Sequence, residues 1–90
     1  MIEKTLKNGF NIILEDEALD DYEILMAFNA MDKDQRQIGR IDDVYVSLLG
    51  EEQYEALREH VRNENGRVRA SEMVELLDEI MALDDETKNS

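Results

Sequence analysis

Between Val61 and Glu72 the chain sets oxygen-bearing side chains at the spacing of a calcium loop. With Val61 as the first position, Asn63 and Asn65 fall at three and five, Gly66 at six, Val68 at eight and Glu72 at twelve. A calcium loop between helices needs oxygen ligands at one, three, five and twelve and a glycine at six. Here the first position is an apolar valine, and Glu72 is the only carboxylate among the principal ligands. Two amides and one carboxylate carry too little negative charge to strip water from a calcium ion. The segment therefore reads as a turn between two helices in which Gly66 supplies a positive φ. A second register, Asp32 to Asp43, puts Arg36 and Gln37 at positions five and six and fails as a site.

Other reactive groups give weaker signals. Carboxylates stand in pairs at Asp20 and Asp21, Asp42 and Asp43, Glu51 and Glu52, and Asp84 and Asp85. Acid–base catalysis needs two carboxylates in opposed environments within a cleft. Adjacent acids on an amphipathic helix point to water instead. His60 is the single histidine, on the edge of a helical stripe, and a metal site needs several ligands. There is no cysteine, which removes disulfides, zinc-thiolate sites and thiol catalysis. No nucleophile stands beside a base, so an enzyme is the least favoured class and no cofactor or metal is expected.

Composition points to contact as the mode of action. The 90 residues make one domain with a thin margin of stability. Twenty-three acidic residues against ten basic ones give a net charge of −13. That charge opposes binding to a nucleic-acid backbone or an anionic membrane and attracts a basic partner. The N-terminus lacks the apolar core of a signal peptide, and no apolar run approaches the roughly 20 residues of a membrane span. The expectation is a soluble intracellular protein.

The elements follow from spacing. Asn8-Gly9 between the apolar runs Ile2–Leu6 and Phe10–Leu14 is a hairpin signal, so residues 1–14 read as a short N-terminal extended arm or hairpin. Asp20, with Glu23 three residues on, reads as an N-cap, opening a helix from Asp21 to about Met31. After a polar loop, Asp32 to Gln37, Ile38, Ile41, Val44, Tyr45, Leu48 and Leu49 mark a second helix that ends at Gly50. Tyr54, Leu57 and Val61 mark a third, broken at Gly66. Met73, Leu76, Leu77, Ile80 and Met81, with Ser71 as cap, mark a fourth. The expected fold is all-α: a single helical domain over 1–83, a small bundle of about four helices, followed by a disordered polar tail over 84–90.

The helix from Asp21 carries Tyr22, Ile24, Leu25, Met26, Phe28 and Met31, which cover more than one face. A helix apolar on more than one face is central, or partly exposed for a partner. Methionine fills core gaps and also suits adaptable binding surfaces. The residues expected to contact a partner are Tyr22, Leu25, Met26 and Phe28, with Tyr54 and Leu57 as second choices.

The joints taken together carry a resemblance. Leu48-Leu49-Gly50-Glu51-Glu52-Gln53-Tyr54 leads into an amphipathic helix, then Asn65-Gly66-Arg67-Val68, then the helix with Met73, Leu77 and Ile80. This order resembles the tail assembly chaperones of long-tailed (siphovirus-type) phages and prophages of Gram-positive bacteria, over roughly Phe10 to Leu83. The resemblance implies a non-enzymatic helper that binds the tape measure protein and keeps it soluble during tail assembly. Tail tube protein is a possible further partner under this resemblance, and self-association into a homo-oligomer is also open. It implies action in the host bacterial cytoplasm and absence from the mature virion. The competing class is a small acidic regulatory adaptor or nucleic-acid mimic, whose carboxylates would imitate phosphates toward a basic protein. Chaperoning predicts apolar contact that survives moderate salt; mimicry predicts salt-sensitive binding.

Overall fold

Residues 1–88 are described by the computed structural model, with side chains throughout except at Asp32, Gln35, Gln37, Ile38 and residues 84–88. The chain opens with strand β1 (Ile2–Thr5) and strand β2 (Asn11–Leu14), paired antiparallel with Ile2 opposite Leu14 and Thr5 opposite Asn11. Between them Gly9 takes φ +89, and the Asn8 side chain accepts from the Phe10 amide at 2.9 Å. Side chains alternate across β2, so Ile12 and Leu14 are buried while Asn11 and Ile13 face outward. A lone hairpin is marginal in water. This one persists because Leu6, Ile12 and Leu14 join the core.

A 3-10 turn over Ala18–Asp20 then buries Leu19. Helix α1 runs from Tyr22 to Lys33 and is capped by Asp21, whose carboxylate accepts from the Glu23 and Ile24 amides at 2.9 and 3.1 Å. The cap is therefore Asp21 and not Asp20, which the 3-10 turn has already used. A second 3-10 segment, Gln35–Arg40, leads into helix α2 (Ile41–Val61). Helix α3 is Ala70–Lys88 and buries the expected stripe of Met73, Leu76, Leu77, Ile80 and Met81. Its bounds reach into the tail expected from residue 84. The side chains of 84–88, and all of Asn89 and Ser90, lie outside the described residues.

The fold is three α-helices with a two-stranded antiparallel sheet, and not an all-α bundle of about four helices. The N-terminal segment takes the hairpin form, and Leu6, Ile12 and Leu14 make it part of the core wall. The second and third expected helices are one element, bent at Gly50, where φ is 80 and ψ is 161. The bend has a packing consequence. On a straight helix, at about 100° per residue, Tyr54 would lie roughly 180° from Tyr45 and about 13 Å along the axis. Instead the two rings stack at 5.1 Å with 9° between their planes. The kink rephases the apolar stripe, so Val44, Tyr45, Leu48 and Leu49 before it share one core with Tyr54, Leu57 and Val61 after it.

Gln53 fixes this joint. Its Oε1 accepts from the Ile13 amide at 2.8 Å, and its Nε2 donates to the Ile13 carbonyl at 2.8 Å. Those are the two bonds a neighbouring strand would make. Nε2 also donates to the Leu49 carbonyl at 2.9 Å, next to the kink. One side chain thus ties the outer edge of β2 to the bend in α2.

Candidate functional site

The six expected contact residues divide by depth. Tyr22 is 73% exposed and Met26 51% exposed, one turn apart on the outer face of α1. Ile24 and Ala27 turn inward on the same helix and are buried. Leu25 and Phe28 are partly buried, packed against the core. Tyr54 and Leu57 are core residues. Tyr54 lies between the Tyr45 ring and the Arg58 guanidinium, which sits 4.6 Å from its centroid. Burial, followed by its hydrogen bond to the Asp42 carboxylate, pushes the Tyr54 hydroxyl up to about 12. Burial also raises the Tyr45 hydroxyl, which donates to the Met73 carbonyl.

Two open clefts meet beside the start of α1. One, of about 410 Å³, is lined by Tyr22, Glu23 and Met26 from α1 and by Arg40, Asp43 and Val44 beside it. The other, of about 530 Å³, lies between the hairpin, the 3-10 turn and the bend of α2, and is lined by Ile13, Glu15, Glu17, Val46, Leu49 and Gln53. Asp21, Ile24 and Ser47 line both, so the clefts adjoin. Ile13, 48% exposed, belongs to this surface although it was not among the expected contacts. Its signal was present in the sequence: in Asn-Ile-Ile-Leu, alternation turns Ile12 and Leu14 inward and Ile13 outward.

The calcium-loop register folds as a turn closed on itself. Asn63 Oδ1 accepts from the Asn65 and Arg67 amides at 2.9 and 3.0 Å, and Asn63 exchanges backbone bonds with Arg67 and Gly66. Val61, at the first position, is buried. Gly66 has the positive φ expected of it, +78. Arg62 bridges from the Gly66 carbonyl to Glu59, and its guanidinium holds the Glu59 carboxyl below its ordinary value. Among the described residues no cluster of three or more His, Asp or Glu is placed to hold a metal ion. His60 is exposed, with Nε2 3.0 Å from the Asn8 carbonyl oxygen and its ring 5.3 Å from Phe10, which pins the hairpin turn to α2.

Among the described residues no helix is long and apolar enough to cross a membrane. No protein-family model matches the chain, and neither a curated protein nor a solved structure matches it. What the molecule offers chemically is therefore read from its own surface: two adjoining clefts lined by exposed apolar side chains and by carboxylates.

Proposed function

We propose that this chain is a non-enzymatic tail assembly chaperone of a long-tailed phage or prophage, which binds the tape measure protein and keeps it soluble in the host cytoplasm while a tail is built. The observation that carries the reading is the exposure of Tyr22 and Met26 on α1 and of Ile13 in the adjoining cleft, on a molecule of net charge −13. Large exposed apolar side chains grouped on one face mark a contact surface. A long amphipathic helix aggregates through its own apolar stripe. A small protein that covers the stripe and adds negative charge keeps such a helix apart from its neighbours. The order of the joints around Gly50 and Gly66 supports the same family.

The test is co-expression with fragments of a tape measure protein, followed by separation of soluble from pelleted fragment. Wild-type protein keeps at least one fragment in solution. The double variant Tyr22→Asp, Met26→Asp folds and loses this effect. Failure with every fragment, or full retention by the folded double variant, overturns the proposal.

A further inference from the structure

We infer that the paired clefts beside α1 receive a helix with a cationic border, an amphipathic segment whose apolar stripe is flanked by Lys or Arg; this rests on the chaperone reading and specifies its ligand. Apolar side chains line the two clefts: Ile13, Tyr22, Ile24, Met26 and Val46. Acidic side chains line them as well: Glu15, Glu17, Asp21, Glu23 and Asp43. Among the described residues that line the two clefts, Arg40 is the only basic side chain, and the Met1 ammonium at the edge of the second is paired with Asp16. Asp21 is engaged with the first amides of α1, which leaves Glu15, Glu17, Glu23 and Asp43 to meet an incoming charge.

Backbone geometry selects a helix over a strand. An added strand needs free amides and carbonyls along a sheet edge. On this face the edge of β2 is already satisfied at Ile13, where Gln53 makes both bonds. What remains is side-chain contact between helices, which is how an amphipathic helix is read in a groove. Charge selects against a second copy of this chain. Two molecules of net charge −13 meeting at these clefts would bring carboxylate against carboxylate. A cationic border reverses that sign, steers encounter and fixes which way round the helix lies.

The experiment titrates the full chain against three synthetic peptides of about 18 residues, followed by fluorescence anisotropy at moderate salt. The first has an apolar helical stripe flanked by lysines. The second has the same stripe flanked by glutamates. The third scrambles the first so that no stripe forms. The lysine-flanked peptide binds about tenfold more tightly than the glutamate-flanked one, as a few partly exposed ion pairs allow, and the scrambled peptide does not saturate. Glu23→Lys with Asp43→Lys reverses the preference, and Met26→Asp removes binding of both helical peptides. Circular dichroism confirms that each variant is folded; if the first pair is not, Glu15→Lys with Glu17→Lys replaces it. Equal affinity for the two helical peptides, equal affinity for the scrambled one, or an unchanged preference after charge reversal overturns the inference. Soluble tape measure fragments together with charge-blind peptide binding would sink this inference alone. Loss of fragment solubility together with charge-selective binding would sink the chaperone reading alone.

Discussion

Replacing Gln53 with leucine keeps most of the side-chain volume and deletes three hydrogen bonds: two to Ile13 and one to the Leu49 carbonyl. A neutral hydrogen bond contributes about 0.5–1.5 kcal/mol net. The two at Ile13 are exposed, so water replaces them and each is worth about 0.5 kcal/mol. The Leu49 carbonyl is partly buried beside the kink, and its bond is worth about 1 kcal/mol. The expected loss is about 2 kcal/mol, or a fall in Tm of about 8–16 °C for a chain of this size. That is a large share of the roughly 5–13 kcal/mol available to 90 residues. Gln53→Glu keeps the acceptor for the Ile13 amide but loses both donations and sets a negative charge beside two carbonyls. It melts lower still at neutral pH, and acid that protonates the new carboxyl returns a donor. Thermal melts by circular dichroism give the stability, and hydrogen exchange at the Ile13 amide gives the site. A fall of less than about 2 °C, with Ile13 exchange unchanged, would refute the view that Gln53 rivets the hairpin to the bend.

Other predictions address the remaining joints. Gly50→Ala meets no atom within 4 Å of the added Cβ, so its cost is backbone strain alone, about 1–3 kcal/mol, read as a shifted urea midpoint. Met26→Asp changes stability by less than about 0.5 kcal/mol, whereas Leu57→Ala costs about 2–5 kcal/mol; denaturant melts of the two separate contact surface from core. At high pH the fold should weaken through Tyr54, whose hydroxyl stays neutral up to about 12 when folded against 10.0 when exposed. The unfolded chain then releases the proton first, so the contribution is complete below pH 10 and is lost as pH rises toward 12. Tyrosinate absorbance followed beside circular dichroism checks this, and ionisation of all tyrosines with the fold intact would contradict it. Asn63→Ala loses the two amide bonds that close the turn, at about 1 kcal/mol each at most, and calcium leaves the spectra of both proteins unchanged.

Local chemistry was legible in the residues themselves. Asn8-Gly9 announced the hairpin turn, and Gly66 announced its positive φ, because few residues other than glycine reach that region. The stripe of α3 was complete in the spacing of Met73, Leu76, Leu77, Ile80 and Met81, since a 3.6-residue period needs no partner to be recognised. The break at Gly50 was also visible, though as an end of one helix and not as a bend within it. Where the two halves point is set by φ 80 and ψ 161, and only packing holds that conformation.

The division between Tyr54 and Met26 was beyond the sequence. Both are large, apolar and helical, and either could face a partner or a core. Tertiary structure decided it: the bend carries Tyr54 onto Tyr45, while Tyr22 and Met26 on α1 stay exposed. The hairpin was decided in the same way. Two short strands are marginal alone, and they become part of the fold because Ile12 and Leu14 join the core, with α2 packed against β2, and Gln53 closes their edge. Periodicity is a property of neighbours along the chain, and the sequence holds it in full. Which of two apolar faces is buried depends on what lies opposite, and that partner exists only once the chain has closed on itself.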